Sequence, residues 1–367
     1  MTGVHLVLPD GVDDPSLSSG GNAYDRRMSD GLAAAGWRVR EHHVPGGWPR
    51  PTAAERALLG ETVAGIEDDA TVLVDGLIAS AVPDVLVPQA DRLRLVVLVH
   101  MPLGEPVPDG RPAGDLGRVR ERERAVLRVA AAVVTTGEWT RDRLLDRYAL
   151  AAHRVHVAEP GVAAAPPASG TPSGGELLCV AALTPLKGHD VLFAALATMT
   201  DLSWRCVCAG SVARDPGHVG HLLRQLRESG IADRVRVTGA LAGRDLDDRY
   251  AAADVLVLPS HSETYGMVVT EALARGLPVV TTSVGGLPRT LGHAAAGRPG
   301  LLVPPGDPAA LAAALRRWLG DADLRSHLRH AARQRRSVLA GWPATVARLA
   351  AILTGVAAAT ECSGASA

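Results

Sequence analysis

The segment DVLVLPSHSETYGMVVTEALARGLPVV, residues 254–280, decides the fold. It opens on an unbroken apolar run, DVLVLPS (254–260), which fits a strand covered on both faces and therefore a parallel sheet. Pro259 and Ser260 end that run. Gly266 permits a tight backbone path into a helix that begins near Met267, and Pro278 leads into the next apolar run, PVVTTSVGG (278–286).

The same alternation extends in both directions. Strand-like runs are expected at 4–9, 37–44, 71–76, 93–100, 131–137 and 155–161, and again at 176–183, 203–211, 234–241, 254–260, 278–286 and 300–306. Helical spacing falls between them, at 22–36, 115–130, 188–200, 215–229, 244–252, 267–276 and 309–337. The stretch VAAAPPASGTPSGGE (162–176) is rich in Pro, Gly, Ala and Ser and is expected to be a linker. The chain is thus expected as two doubly wound, Rossmann-like α/β domains in tandem, 1–165 and 166–340. A last helix is expected near 341–358, followed by a frayed tail, 359–367. Ligands of such sheets sit beyond the carboxyl ends of the strands, so the cleft between the domains is the expected site.

Composition narrows the function. A chain of 367 residues exceeds one ordinary core, and its 47% hydrophobic and 21% charged content is globular. A net charge of −1 creates no global field to gather nucleic acid or an anionic membrane. No apolar run reaches the roughly 18 residues of a membrane span, and MTGVHLVLPD lacks the basic start of a signal peptide. The cysteines Cys179, Cys206, Cys208 and Cys362 have no zinc spacing. A reduced, cytoplasmic protein without a metal site is expected.

Two glutamates, Glu263 and Glu271, flank the expected helix start. Free backbone N–H groups from Tyr265 to Val268 make that start an anion site, strengthened by the helix dipole. Carboxylates do not bind phosphate, but they accept hydrogen bonds from hydroxyl groups. Two acids around an anion nest suit a nucleoside-diphosphate sugar, which carries hydroxyls on both sides of a diphosphate. The alternative is an acid near a helix N-terminus and a solvated helix charge; on this stretch alone the two readings stand level.

The other motifs weigh against the alternative. Lys187 is the only lysine in the chain, in VAALTPLKGHDVL (180–192), past the end of an expected strand. A compact ammonium there can pair with diphosphate where a planar guanidinium does not fit. In SLSSGGNAYDRR (16–27), Gly20, Gly21 and the sole asparagine, Asn22, begin a helix, and the glycine-rich loop there lets backbone N–H groups approach phosphate or sugar closely. VVLVH ends in His100, at the cleft end of a strand; by itself it reads as an ordinary polar strand end.

Taken together, the chain resembles the retaining GT-B glycosyltransferases of family 4. The resemblance rests on PSHSETYGMVVTEALARGLPVV with its E-x7-E spacing, TTSVGGLPRTL, GLLVPPGDPAAL, LTPLKG and YAAADVLVLPS. It implies that Lys187 binds the donor diphosphate, and that backbone around Thr264, Tyr265, Gly266, Met267 and Val268 holds phosphates and sugar hydroxyls. It implies Glu263 on the donor sugar, Glu271 on the ribose, Gly21 near the diphosphate and His100 beside the transferred sugar. The base would lie near Gly239 to Leu241, and the last helix would cross back to the first domain. His100, Lys187 and Glu263 are the residues expected at the reaction centre. Two departures stand out. Ala182 occupies the place of a family arginine, and Arg289, where the family often has a glutamate, is a candidate substitute cation.

The expected activity is metal-independent transfer of a sugar, with retention, from a nucleotide sugar (UDP- favoured over GDP-) to a small soluble acceptor such as a specialised metabolite. No cofactor is expected. No long basic amphipathic helix favours a lipid acceptor, and the loops at 42–50 and 101–115 are expected to shape the acceptor site. The alternatives are a nucleotide-sugar epimerase or phosphorylase on the same fold, and a nucleotide-sugar-binding protein without turnover.

Overall fold

The computed structural model describes residues 2–14, 16, 19–106 and 113–364. The first sheet holds β1 (Gly3–Pro9), β2 (Arg38–Val44), β3 (Thr71–Asp75), β4 (Arg94–Val99), β5 (Ala132–Thr135) and β6 (Val155–Val157). All neighbours are parallel, in the order β2-β1-β3-β4-β5-β6. The second sheet holds β7 (Glu176–Val180), β8 (Arg205–Ala209), β9 (Val235–Gly239), β10 (Val255–Leu258), β11 (Val279–Thr282) and β12 (Gly300–Val303). Its order is β12-β11-β10-β7-β8-β9, again parallel. Every strand-like run of the sequence contains a strand; Val and Leu fill both faces of the central strands β3, β4, β5, β10 and β11, whereas the edge strand β2, RVREHHV, is largely solvated.

The chain reverses its direction across each sheet at one place: between β1 and β3 in the first, between β7 and β10 in the second. These are the switch points at which doubly wound sheets bind ligands. After β1 come Gly20 and Gly21, the first residues of the helix Gly20–Ala34; the segments after β7 and β10 carry Lys187 and Glu263, and β3 itself ends on Asp75.

Three elements differ from expectation in informative ways. The helical stretch expected at 309–337 is two helices, Pro308–Gly320 and Ala322–Arg336. Asp321 separates them and accepts from the Leu324 N–H, an N-cap that satisfies one orphan donor of the second helix. The segment 162–176 is irregular, as a linker should be, yet it is tied down by the buried Asp254. That carboxylate accepts from the Thr171 N–H, the Thr171 hydroxyl at 2.6 Å, the Glu176 N–H at 2.9 Å and Arg329 at 2.9 Å.

The last helix runs from Trp342 to Gly364, beyond the 358 expected; residues 365–367, the end of the tail expected to fray, lie outside the described residues. It packs back on the first domain, where Val346, Leu349 and Leu353 join Leu6, Tyr24, Leu73 and Leu98 in one cluster. Gly31 makes this possible, since a Cβ there would overlap the Val346 side chain. No helix among the described residues is long and apolar enough to cross a membrane.

Candidate active site between the two sheets

The loop after β10 is shaped by three glycines. Gly266 has φ 84°, a left-handed conformation that favours glycine, and caps the helix Met267–Ala274. Gly285 (φ 54°) and Gly286 lie directly under the loop: a Cβ on either would overlap the carbonyl oxygen of Glu263 or Thr264. The Gly286 N–H donates to the Glu263 carbonyl at 3.1 Å. The GG pair after β11 is thus a backbone cradle for the Glu263–Gly266 loop. Gly266 offers no side-chain cap, so the helix start keeps donors available to an anion.

Lys187 reaches this loop from β7. Gly188 (φ 67°) seats the turn against Pro259, where a Cβ would overlap the Pro259 carbonyl, and His261 N–H donates to Leu186 O at 2.8 Å. Lys187 Nζ donates to Glu263 Oε1 at 2.5 Å, and the Ser260 hydroxyl donates to the same oxygen at 3.3 Å. Glu263 Oε2 has no protein partner among the described residues. The two residues expected to serve different parts of one ligand are therefore an ion pair across the switch point.

Glu271 is half-buried, one turn into the helix. Its Oε2 accepts from the Tyr250 hydroxyl at 2.8 Å, and Arg275 stacks over the Tyr250 ring at 4.5 Å. Burial raises the Glu271 carboxyl, against the Tyr250 hydrogen bond and the Arg275 charge, which oppose the rise. Among the described residues Oε1 is left for another donor. Gly239 (φ 77°) and Leu241 lie at the carboxyl end of β9, two strands from β7, with open space where a Gly239 Cβ would point. Val268 is half-buried, and Tyr265 turns its side chain to the other domain, its hydroxyl donating to Pro160 O at 3.3 Å. Tyr265 thus offers the nest only backbone.

On the first domain, Ser19 caps the helix Gly20–Ala34 by accepting from the Asn22 N–H. The Asn22 amide works within this loop: Oδ1 accepts from the Ser19 hydroxyl at 2.9 Å and Nδ2 donates to Gly11 O at 3.3 Å. A Cβ at Gly21 would sit 3.4 Å from His100 Cδ2, and one at Gly20 would sit 3.4 Å from Met267 Sδ. His100, the glycine loop and the helix start of the second domain are therefore consecutive neighbours.

Sequence reasoning missed what lies behind His100. Its Nε2 is 2.7 Å from Asp25 Oδ1 and 3.8 Å from Asp75 Oδ2, and both carboxylates are buried. Asp75 Oδ1 also accepts from the Leu77 N–H at 2.6 Å. Burial, then the Asp25 charge, pushes the Asp75 carboxyl up to about 7, against His100 and the Leu77 N–H. Burial alone would lower His100, but the charge and hydrogen bond of Asp25, with Asp75 behind, push it up to about 9. The three residues offer ligand atoms within 4.8 Å of one another, but the shortest separation is a hydrogen bond that an ion would have to break. The available signals were acids in the motifs themselves: Asp25 in GGNAYD and Asp75 ending TVLVD.

The domains meet around this site. The Ser211 hydroxyl donates to Ser16 O, and the Tyr265 ring lies against Gly137. Arg289, the candidate substitute cation, is instead exposed and paired with Asp142 of the first domain at 3.1 Å. Ala182 uses its carbonyl within the turn, accepting from the Thr184 N–H at 2.8 Å. Beside the strand ends of the first domain lies a cavity of about 370 Å³, lined in part by Arg50, Leu103, Asp115, Arg118 and Arg122. It takes in residues of both loops expected to shape the acceptor site; 107–112 of the second lie outside the described residues. Buried Glu123 holds its Leu103 side, accepting from the N–H groups of Leu103 at 2.8 Å and Gly104 at 3.0 Å.

Residues 170–335 match the family described as Glycosyl transferases group 1. A D-inositol 3-phosphate glycosyltransferase 1 from Catenulispora acidiphila is 33% identical over 347 residues, which cover 84% of this chain and 79% of that protein. A D-inositol 3-phosphate glycosyltransferase from Thermobispora bispora is 37% identical over 255 residues, 63% of this chain. The chain spans 58% of that relative's length and 57% of one from Salinispora tropica. Among solved structures, sucrose-phosphate synthase from Thermosynechococcus elongatus shares the fold with TM-score 0.78 at 23% identity, over 98% of this chain and 100% of that one. Anabaena HepE in complex with UDP and glucose does so with TM-score 0.74 at 17% identity, over 97% and 100%.

Proposed function

The chain belongs to the group 1 glycosyltransferases and has the GT-B fold, and on that premise we propose that it moves a sugar, with retention, from a UDP-sugar to a hydroxyl of a small phosphorylated polyol. The observation that carries this reading is the Lys187–Glu263 pair beside the uncapped start of the helix Met267–Ala274, at the switch point of the second sheet. A diphosphate entering there exchanges one partner for another. Its oxygens take Lys187 and the helix N–H groups, and Glu263 is released to accept from sugar hydroxyls. Glu271 Oε1 is available to the ribose.

In this reading the acceptor oxygen attacks the anomeric carbon on the face that the leaving group departs. The bond from that carbon to the phosphate oxygen breaks, and the acceptor proton passes to the departing diphosphate. Lys187 and the helix amides stabilise the charge that builds there, and they do so without a divalent ion. Contact between the domains excludes water and limits hydrolysis of the donor.

Two things support an anionic acceptor. Relatives carry the name D-inositol 3-phosphate glycosyltransferase, and among the described residues the cavity of the first domain sets Arg50, Arg118 and Arg122 against one acid, Asp115. A thermal-shift screen of UDP-, GDP- and ADP-sugars tests the donor, since a ligand bound only by the native state raises the melting temperature. Transfer assays with an inositol phosphate and with inositol itself test the acceptor, and the anomeric configuration of the product tests retention. No stabilisation by any nucleotide sugar would remove the reading.

A further inference from the structure

The cavity of the first domain is shaped by a residue that does not line it. Glu123, on the helix Ala113–Val129, is 1% exposed and has no part in the reaction as proposed. Its Oε1 accepts from the Leu103 N–H at 2.8 Å and the Ser80 hydroxyl at 3.4 Å. Its Oε2 accepts from the Gly104 N–H at 3.0 Å and the Tyr148 hydroxyl at 2.5 Å. These donors come from three places. Ser80 follows β3, Leu103 and Gly104 follow β4, and Tyr148 ends the helix Glu138–Tyr148. Because β3 and β4 are neighbours in the sheet, one buried carboxylate ties together the segments that leave their carboxyl ends.

The segment after β4 is held on its other side as well. Gly104 O accepts from Arg120 Nε at 2.9 Å and from Arg147 Nη1 at 3.2 Å. Glu105 takes both Arg143, at 3.0 and 3.1 Å, and Arg147, at 2.8 Å. A Cβ at Gly104 would overlap the Tyr148 hydroxyl and press on Glu123 Oε2 at 3.0 Å, so the backbone lies directly on the carboxylate. A buried carboxylate with four hydrogen bonds could serve stability alone. What sets this one apart is that two of its donors, Ser80 and Leu103, line the cavity. Its own helix supplies the charged face of that cavity: Asp115, Arg118, Val119 and Arg122 stand at i, i+3, i+4 and i+7. The separation between the arginine face and the Ser80 and Leu103 wall is therefore set by the bonds of one residue, the neighbour of Arg122. The chain runs from His100 to Leu103 in three residues, so the same bonds fix the path between the imidazole and the cavity.

We propose that Glu123 is a positioning residue for the acceptor: it touches no ligand, and by holding Ser80, Leu103 and Gly104 against its own helix it sets the fit of the cavity to a small anionic polyol. This rests on the acceptor reading above for its ligand, but the hold on the Leu103 and Gly104 backbone does not. The hold is stiff because a dry carboxylate cannot give up its backbone donors without leaving buried polar groups unpaired. The donor nest lies on the other domain and does not depend on it.

The test compares the full chain with Glu123→Gln, which keeps the shape of the side chain. Whichever way its amide turns, one of the two backbone N–H groups faces an NH2 that cannot accept. In the first arm, amide hydrogen exchange at Leu103 and Gly104 is followed by NMR. Both amides are expected to exchange slowly in the wild type, and at least one of them about ten-fold faster in E123Q. Equal protection in the two proteins overturns the proposal. In the second arm, transfer from a saturating UDP-sugar to an inositol phosphate is measured, with UDP affinity read by calorimetry. The acceptor KM is expected to rise about ten-fold in E123Q, while kcat stays within about three-fold and UDP affinity within about two-fold. An unchanged acceptor KM overturns the proposal. So does a loss of UDP affinity as large as the rise in KM, which marks a general loosening of the protein. Tyr148→Phe is the second variant should E123Q not fold. It removes one donor and leaves both backbone bonds, and its acceptor KM rises about three-fold with UDP affinity unchanged; no rise overturns the proposal. Failure of the wild type to transfer to any inositol phosphate or to inositol, with the exchange pattern as expected, rejects the acceptor reading and the positioning role with it while leaving the hold on the backbone standing.

Discussion

Lys187 Nζ lies 2.5 Å from Glu263 Oε1, and this bond joins the strand ends of β7 and β10 across the switch point of the second sheet. It pre-positions both groups in the absence of an anion. In the proposed reading a diphosphate competes with a carboxylate for the ammonium, so that donor binding and release of Glu263 would be one event. Lys187→Ala should weaken UDP-sugar binding by roughly 10- to 100-fold, the range expected for a hydrogen bond to a charged group. Lys187→Arg should not restore it, because a planar guanidinium does not replace a compact ammonium in this turn. Calorimetry on the three proteins checks both statements.

Glu271 keeps one carboxylate oxygen on the Tyr250 hydroxyl and leaves the other open. If that oxygen accepts from the ribose, Glu271→Ala and removal of the ribose hydroxyls should cost the same interaction once. Wild-type protein should lose roughly five- to ten-fold in affinity between UDP and its 2′,3′-dideoxy analogue, about 1 kcal/mol. Glu271→Ala should show no further difference between the two ligands. An additive loss would place the ribose elsewhere.

Gly285 has φ 54°, and its missing Cβ is occupied by the Glu263 carbonyl. Gly285→Ala must therefore displace the loop and strain the backbone, at a cost of order 1–3 kcal/mol. The expected outcome is a protein that folds with a lowered denaturation midpoint and has lost donor binding by more than the Lys187 variant has. Far-UV circular dichroism with a urea titration, followed by calorimetry, reads both.

Arg289 is exposed and paired with Asp142. Exposed pairs contribute little, and this one contributes no charge to the nest, so Arg289→Ala should leave stability within about 0.5 kcal/mol and UDP affinity within about two-fold. Ala182→Arg is the informative counterpart. An arginine placed there should tighten UDP binding.

The sign of the pH effect on stability follows from His100. Its folded-state value is raised to about 9 by Asp25 and Asp75, above the unfolded value of about 6.5. The stabilisation is therefore fully present below about pH 6.5 and is lost as the pH rises towards 9. Asp75, raised to about 7 from an unfolded value near 3.9, works in the same pH sense but in a lower window: it costs stability as the pH rises from about 4 to 7. The urea midpoint of the wild type should fall between pH 6.5 and 9, and His100→Gln should flatten that fall.

What was legible in the chain was whatever local chemistry leaves in a line. Val and Leu runs ended by Pro, Gly and Ser mark parallel strands, because a strand covered on both faces can carry no alternation. The twelve runs read in the sequence each contain one of the twelve strands among the described residues, although WRVREHHV, the edge strand, is not a Val and Leu run. Gly266 marks the helix start for the same local reason, since its positive φ favours glycine; that Gly285 and Gly286 cradle the Glu263–Gly266 loop was decided by the tertiary approach of their backbones to Glu263 and Thr264. The scarcity of lysine singled out Lys187, which the structure brings to Glu263.

The tertiary structure alone decided which of these groups face one another. Asp25, Asp75 and His100 are far apart in sequence, and none of their motifs announces a pairing; the carboxyl ends of two adjacent strands, β3 and β4, and the helix Gly20–Ala34 bring them into a dry space where each changes the charge of the others. The Asn22 amide is spent within its own loop, and Arg289 turns to Asp142. Strand and turn signals act over a few residues through sterics and burial, so they can be read along the chain. Electrostatic partnership acts through space and depends on the local dielectric, and both are set only when the sheets have formed and their strand ends have come together.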